Sequence, residues 1–146
     1  SKKDFKSYHP SGNLGAKLRT VDELMIVGNK IPFVNESIKM KKAFQIISNK
    51  KLGILVVQDN KKNTKGIITD GQIRRFNSKD TNLQDLTVKK VMTINPISVD
   101  QDTLAEKALA IMNSKRITSL CVHNQKNKKK TIGILHIHKI LQSNIQ

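Results

Sequence analysis

One short stretch decides the fold, because it occurs twice: GIITDGQI at residues 66–73 and GILHIHKI at residues 133–140. Each copy begins with a glycine, continues through short apolar residues and turns polar where a helix could begin. This pattern is typical of a buried strand that leads into a helix. Because such a junction presents free backbone N–H groups and the positive end of a helix, it indicates a place where an anion or a nucleotide can bind.

The repeat extends well beyond these two stretches. TVDELM at residues 20–25 matches TVKKVM at residues 87–92 with an offset of 67, whereas Val34 matches Val99 with an offset of 65. Elements of fixed length joined by loops of variable length produce such a change of register. Two units of about 60 residues are too few for a solenoid, so we expect two copies of one small α/β unit.

The hydrophobic pattern predicts the order β-α-β-β-α in each copy. In the first copy, residues 40, 43, 44 and 47 share one helix face, and residues 52–57 and 65–69 form a hairpin. The second copy has strands at 118–123 and 132–137 and a final helix from about His138. Ser37 and Thr103 are candidate N-caps. The predicted fold class is α/β (α+β), with two pseudo-symmetric β-α-β-β-α units packed as a pair.

Composition limits the class of protein. Only 37% of the 146 residues are hydrophobic and there is no Trp, so the core must be aliphatic. The longest apolar run, residues 54–57, is far too short to span a bilayer. A single cysteine, Cys121, excludes an internal disulfide and agrees with a reducing cytoplasm. We expect a cytoplasmic protein without a cofactor or a membrane partner and, since the chain lacks an initiator Met, part of something longer.

The net charge of +16 and the pI of about 10.1 raise the hypothesis of a nucleic-acid partner. The 23 lysines far outnumber the four arginines, however, and nucleic-acid readers usually need arginine forks and aromatic stacking platforms. Codon bias that favours Lys, Ile and Asn together explains the same charge. We therefore expect the lysine-rich turns at 60–65 and 124–130 to be solvated hairpin tips and nucleic acid not to be the partner.

The paired units resemble tandem cystathionine-β-synthase (CBS) domains over residues 20–146. A finer resemblance is to the C-terminal part of arabinose 5-phosphate isomerases of the Kdo pathway, in which a sugar isomerase (SIS) domain precedes the CBS pair. The segments that carry it are HPSGNLG at 9–15, LG at 52–53, GIITDG at 66–71, RR at 74–75, RITS at 116–119 and GILHIH at 133–138. The resemblance implies three parts: a C-terminal remnant of the SIS domain with a linker at 1–19, CBS domain 1 at 20–79 and CBS domain 2 at 80–146.

The resemblance also implies a function. The parent protein would interconvert ribulose 5-phosphate and arabinose 5-phosphate for lipopolysaccharide synthesis, and the CBS pair would regulate and assemble it. Its partners would be the SIS domain of the parent chain, a second copy in a homodimer within a tetrameric parent, and an anionic nucleotide or nucleotide sugar between the copies, with CMP-Kdo as the candidate. His9 matches a catalytic histidine of the SIS active site, but the fragment alone should not catalyse isomerisation.

The resemblance implies the ligand-binding residues one by one. Adenosyl-binding CBS pairs carry an aspartate three residues after the threonine of this stretch, whereas this chain has Gln72 in the first copy and Lys139 in the second. A histidine also replaces the threonine in the second copy, so the expected ligand is more anionic than adenosine. The candidate ligand-binding residues are Thr69, Asp70, Arg74, Arg75, Thr118, Ser119, His136 and His138.

Simpler interpretations stay open for these side chains. The two arginines could lie on a solvated helix face, and the Thr-Ser pair could be ordinary strand polarity. The two histidines are expected on one face of a strand end, where they form either part of the ligand site or a merely structural pair. A metal site would need a third ligand, and no spacing in the sequence supplies one.

Two alternatives stay open for the chain as a whole. One is a purely structural dimerisation module without a ligand, which the missing aspartates favour. Apolar residues on the helices around Ile73–Phe76 and Ile140–Leu141 are expected to form its dimer interface. The other is a basic nucleic-acid-binding domain, whose affinity would fall steeply with salt.

Overall fold

A computed structural model describes residues 18–50, 52–77 and 82–143 of the chain. In chain order, its helices are α1 (Val21–Leu24), α2 (Met40–Lys50), α3 (Asp70–Asn77), α4 (Val88–Val91), α5 (Ala105–Lys115) and α6 (Ile137–Gln142). Its strands are β1 (Phe33–Asn35), β2 (Ile54–Gln58), β3 (Thr64–Thr69), β4 (Thr93–Ile94), β5 (Ser98–Asp100), β6 (Ser119–His123) and β7 (Gly133–His136). Single 3-10 turns lie at Gly28–Lys30 and Leu83–Asp85.

The described residues form two compact units. The first unit contains the described residues of 27–97 together with 129–131, and the second unit contains residues 18–26, 98–128 and 132–143. The element order is β1-α2-β2-β3-α3 in the first unit and β5-α5-β6-β7-α6 in the second. The predicted mixed α/β fold with two β-α-β-β-α copies is therefore confirmed.

The first unit is built on a four-stranded sheet with the order β1-β2-β3-β4. Strand β1 runs parallel to β2, and the other two pairs are antiparallel. Helix α2 buries Met40, Ala43 and Ile47, which are spaced i, i+3 and i+7 as the sequence predicted, against Leu55 and Ile68 of the sheet. This apolar face holds the helix on the sheet and fixes the end of β3, where the candidate site begins.

The second unit repeats this plan with a three-stranded sheet, in which β5 runs parallel to β6 and β6 runs antiparallel to β7. Helix α5 buries Ala105, Ala108 and Met112 against Leu120 and Leu135. Cys121 is buried in β6, as its alternating neighbours indicated.

A repeated Gly–Met contact explains why both copies of the deciding stretch begin with glycine. A β-carbon on Gly66 would lie 2.5 Å from the carbonyl oxygen of Thr93 and 2.9 Å from Cγ of Met92. In the second unit, a β-carbon on Gly133 would clash with the side chain of Met25. Any side chain at either position would displace the segment that crosses the strand, so the repeat requires the smallest residue.

The leading segment of each sequence repeat packs with the other repeat. Residues 20–26 belong to the second unit, where the Ile26 N–H donates to the Ile134 carbonyl at 2.8 Å. Residues 87–94 belong to the first unit, where the Val88 N–H donates to the Ile38 carbonyl at 2.8 Å. The compact units therefore differ from the sequence ranges 20–79 and 80–146. The range 1–17 lies outside the described residues, so its assignment to a SIS remnant stays a prediction.

Two of the predicted helix caps are wrong. Helix α2 begins at Met40 rather than next to Ser37, and the Ser37 N–H instead donates to the side chain of Asn35 at 2.9 Å. Helix α5 begins at Ala105 with Leu104 at its N-cap position, so Thr103 does not form the expected capping box. In both cases a local turn before the helix uses the polar residue, and the helix begins one or more residues later.

The helix residues predicted for a dimer interface are also largely internal. Ile73 is 9% exposed and Ile140 is 0% exposed, because both pack into the core of their own unit. Leu141, at 50% exposure, is the surface residue of the second predicted patch. None of the helices in the described ranges is both long and apolar enough to cross a membrane.

Candidate ligand-binding junctions

The first candidate site lies where β3 ends and α3 begins. The Thr69 hydroxyl oxygen accepts a hydrogen bond from the Gln72 N–H at 3.3 Å, and the Gln72 Oε1 atom accepts one from the Thr69 N–H at 3.4 Å. This reciprocal pair is a capping box, which satisfies two backbone donors at the start of the helix. It fixes the strand–helix junction at the residue that the resemblance assigns to the ligand.

Gln72 has a role that the sequence analysis missed. Its Nε2 atom donates to the Val91 carbonyl at 2.7 Å, so the side chain also reaches helix α4. Among the described residues it is the one polar side chain classed as buried, with 9% exposure. We had treated this position only as the place of a missing ribose-binding aspartate. The spacing Thr-x-x-Gln from Thr69 to Gln72 is a capping-box signal and could have predicted the first two bonds.

Asp70, Arg74 and Arg75 gather around the first turn of α3. The Asp70 N–H donates to the Gly53 carbonyl at 3.0 Å, and Gly53 has the positive φ of 70° that favours glycine. A β-carbon on Gly71 would lie 3.5 Å from Arg75 Nη1 and 3.8 Å from Arg74 Nη2, so both guanidinium groups fold back over this glycine. The junction thus combines one hydroxyl, one carboxylate and two guanidinium groups, a set that suits a phosphate or carboxylate ligand.

The second candidate site lies where β7 ends and α6 begins. His136 is the N-cap of α6, and its Nδ1 atom accepts a hydrogen bond from the His138 N–H at 3.2 Å. The two imidazole rings meet edge to face, with centroids 4.7 Å apart and planes at 64°. Burial, and next the charge of His138, lower the pKa of His136 below its ordinary value of 6.5. The neutral ring therefore carries its proton on Nε2 and acts as a cap.

Thr118 and Ser119 flank the same junction on β6. The Thr118 carbonyl accepts a hydrogen bond from the Ile137 N–H at 2.8 Å, and Ser119 lies opposite His136 in the antiparallel register. Thr118 and His138 are exposed, whereas Ser119 and His136 are half-buried. This junction offers hydroxyl and imidazole donors but no carboxylate.

The structure divides the eight predicted ligand-binding residues into two groups of four. The group of residues 69, 70, 74 and 75 lies in the first unit, and the group of residues 118, 119, 136 and 138 lies in the second. The two histidines do meet, but His138 belongs to α6, so they meet through a helix cap and not as neighbours on a strand face. His9 lies outside the described residues.

The geometry does not favour a metal site in the part of the chain that the structure describes. No group of three or more His, Cys, Asp or Glu side chains comes close enough there to hold a metal ion. The two histidines of the second junction lack a third ligand, as the sequence analysis expected, and the Nδ1 atom of His136 is already used.

Comparisons with known proteins agree with this fold. The CBS domain family matches residues 21–79 and 88–144. A CBS-domain protein of Agrobacterium tumefaciens has a TM-score of 0.77 at 18% identity, covering 88% of this chain and 95% of that one. The protein CBSX2, solved in complex with AMP, has a TM-score of 0.71 at 22% identity, covering 86% of this chain and 95% of that one. At these identities, both likenesses concern the fold alone.

Curated relatives match most of the chain. The arabinose 5-phosphate isomerase of Escherichia coli K12 is 34% identical over 143 residues, and that of Salmonella typhi is 36% identical over 143 residues. Each match covers 97% of this chain but only 43% of the relative. The fold, the repeat and these comparisons lead to one conclusion: the chain belongs to the CBS domain family and contains two CBS domains in tandem.

Proposed function

We propose that this chain is the regulatory CBS pair of an arabinose 5-phosphate isomerase and that it binds an anionic nucleotide or nucleotide sugar as an effector. The observation that carries the proposal is the similarity to such isomerases, at 34–36% identity, over 97% of the chain. The parent would interconvert ribulose 5-phosphate and arabinose 5-phosphate, a reaction of Kdo and lipopolysaccharide synthesis. The effector would report the state of that pathway to the isomerase domain.

The chemistry of the first junction supports an anionic effector. Arg74 and Arg75 can each give a charge-assisted hydrogen bond worth about 1.5–3 kcal/mol to a phosphate or carboxylate oxygen. The Thr69 hydroxyl can add a neutral donor. At the position where adenosyl-binding relatives carry an aspartate, Gln72 turns inward and Lys139 is exposed, so no carboxylate receives a ribose. CMP-Kdo, an anionic product of the pathway, is the candidate ligand, and Asp70 would face its uncharged part.

The proposal extends to partners and place. The SIS domain of the parent, to which His9 would contribute, is the partner that carries catalysis, and the CBS pair alone should show no turnover of arabinose 5-phosphate. A homodimer, within a tetrameric parent, would bring two CBS pairs together, with the exposed Leu141 at the contact. The protein would work in the cytoplasm. Light scattering that shows a monomer at high concentration would contradict the dimer.

A specific observation favours a second candidate function, a structural dimerisation module without a ligand. The side chains of Gln72 and His136 both spend hydrogen bonds on their own helix. A junction whose polar groups satisfy each other needs no ligand to be stable. In this case the isomerase similarity would hold, but the effector would not exist.

A thermal-shift screen of nucleotides and nucleotide sugars separates the two candidates. A ligand that binds only the folded state raises the melting temperature, by about 2.7 kcal/mol of added stability at a hundred times its dissociation constant. We expect CMP-Kdo to raise it and adenosine to leave it unchanged. Because the chain carries a net charge of +16, the screen needs a matched arm at high salt, where non-specific binding of polyanions disappears. No shift with any compound would support the structural module.

A further inference from the structure

Gln72 uses both ends of its side-chain amide. Its Oε1 atom accepts from the Thr69 N–H at 3.4 Å, while its Nε2 atom donates to the Val91 carbonyl at 2.7 Å. The bond to Val91 is the shorter one and lies in a buried setting, so it fixes the amide in one orientation. The long bonds to Thr69 depend on that orientation. Gln72 is therefore a bridge between the start of α3 and helix α4.

Helix α4 provides a firm end for this bridge. The Val88 N–H donates to the Ile38 carbonyl at 2.8 Å, and the Lys89 N–H donates to the Glu36 carbonyl at 3.0 Å. The side chains of Lys89 and Glu36 also form an ion pair at 3.4 Å. These contacts hold α4 against the loop after β1 without help from Gln72. The carbonyl of Val91 is consequently a fixed acceptor toward which the Gln72 amide is drawn.

The bridge decides what the Thr69 hydroxyl can do. A hydroxyl has one hydrogen to donate and two lone pairs that accept. Because the Thr69 oxygen accepts the Gln72 N–H at 3.3 Å, one lone pair points along α3 and the hydroxyl hydrogen is left for another partner. An anion over the first turn of α3, near the guanidinium groups of Arg74 and Arg75, is a suitable acceptor for it.

We propose that Gln72 is a positioning residue for the effector: it holds the Thr69 hydroxyl as a donor to an anionic group and takes its own support from Val91 on α4. The proposal rests on the anion-binding function proposed above. The second unit lacks this device, because Lys139, the matching residue, is exposed. Effector affinity at the first junction would thus depend on a buried side chain that does not touch the effector.

A double-mutant cycle tests whether Gln72 acts through Thr69. The variants are Thr69→Val, Gln72→Leu and the double variant, each titrated with CMP-Kdo and with AMP by calorimetry at a temperature where all are folded. We expect each single change to weaken binding about tenfold, the size of one lost hydrogen bond to a charged group. The double change should also cost about tenfold, because either variant alone already removes the shared interaction.

Two further variants separate positioning from loss of structure. Gln45→Leu makes the same chemical change at an exposed position of α2 in the first unit and should leave affinity unchanged. Gln72→Glu removes the Nε2 donor at neutral pH, whereas a protonated glutamic acid can again donate to the Val91 carbonyl. Compared with the unchanged protein at the same pH, its affinity should therefore recover as the pH falls toward 4, near the ordinary pKa of Glu.

Each outcome decides the matter. A double variant weakened about a hundredfold would mean that the two residues act independently, and it would overturn the proposal. So would Gln72→Leu with unchanged affinity, or Gln72→Glu with no recovery in acid, while the effector function stood. If the unchanged protein bound neither CMP-Kdo nor AMP, the effector function itself would fail and the positioning role with it.

Discussion

The two strand–helix junctions at residues 66–73 and 133–140 follow one backbone plan but close it with different chemistry. At the first junction, Thr69 and Gln72 form a capping box that continues to Val91. At the second, the imidazole of His136 caps α6 alone, and Lys139 is exposed. The comparison shows that the repeat preserves the strand, the glycine and the place of the cap, whereas each copy is free to choose the capping side chain.

The choice of cap has a consequence for pH. A threonine hydroxyl does not titrate, so the first junction keeps its cap from acid to base. The Nδ1 atom of His136 can act as an acceptor only while the ring is neutral, so protonation would place a second donor against the His138 N–H. The second junction is therefore the pH-sensitive one of the two.

The largest expected effect concerns the two repeated glycines. Gly66→Ala should lower the free energy of unfolding by about 2–3 kcal/mol, because the new methyl group meets the rigid carbonyl of Thr93. Gly133→Ala should cost about 1 kcal/mol, because there the obstacle is the flexible side chain of Met25. Urea unfolding of both variants checks the order. An equal or larger loss for Gly133→Ala would show that the second crossing is the more rigid.

A medium effect is expected from the matched positions Gln72 and Lys139. Gln72→Leu should lower stability by about 1–3 kcal/mol, since it leaves the buried Val91 carbonyl without its donor. Lys139→Leu should change stability by less than about 0.5 kcal/mol, because that side chain is exposed. Similar losses in the two variants would remove the difference between the junctions on which the comparison depends.

The smallest effect is the pH dependence of the second junction. The folded state lowers the pKa of His136 below 6.5, so below that pH the unfolded chain binds a proton that the folded protein refuses. Stability should thus be highest above pH 6.5, fall as the pH drops below it and level off below the folded-state pKa. His136→Asn keeps a capping acceptor without a titrating group.

The difference between the unchanged protein and His136→Asn isolates this contribution from that of other titrating groups. Urea unfolding at pH values between about 5 and 8 should show a smaller decline in the variant. Thr69→Asn serves as the control at the first junction and should leave the shape of the profile unchanged. Parallel profiles for the unchanged protein and His136→Asn would mean that the imidazole does not act as a cap.

Periodicity and repeats predicted most of the fold. The spacing of Met40, Ala43 and Ile47 located the buried face of α2, and the two glycines located the third strand of each unit. The exchange of the leading segments was not predictable, because TVDELM and TVKKVM are similar enough to fit either sheet. Pairing over long sequence separations depends on the packing of Met25 and Met92, which no local pattern records.

The candidate site was predicted less completely. The sequence identified which residues stand at the junctions, and the structure places Thr69, Asp70, Arg74 and Arg75 together as expected. It could not show that Gln72 points inward, since the direction of a side chain depends on what lies across the core. Attention to the missing aspartate also hid the Thr-x-x-Gln pattern, a local signal that was readable from the start.

The central claim is that the chain senses an anion, and one calorimetric comparison tests it most directly. CMP-Kdo and adenosine are titrated into the unchanged protein and into Arg75→Ala and His136→Ala. The account predicts that CMP-Kdo binds, that adenosine binds poorly, and that each substitution weakens CMP-Kdo by about tenfold, or roughly 1.4 kcal/mol. Tight binding of adenosine with no binding of CMP-Kdo, or an affinity that neither substitution changes, would contradict it.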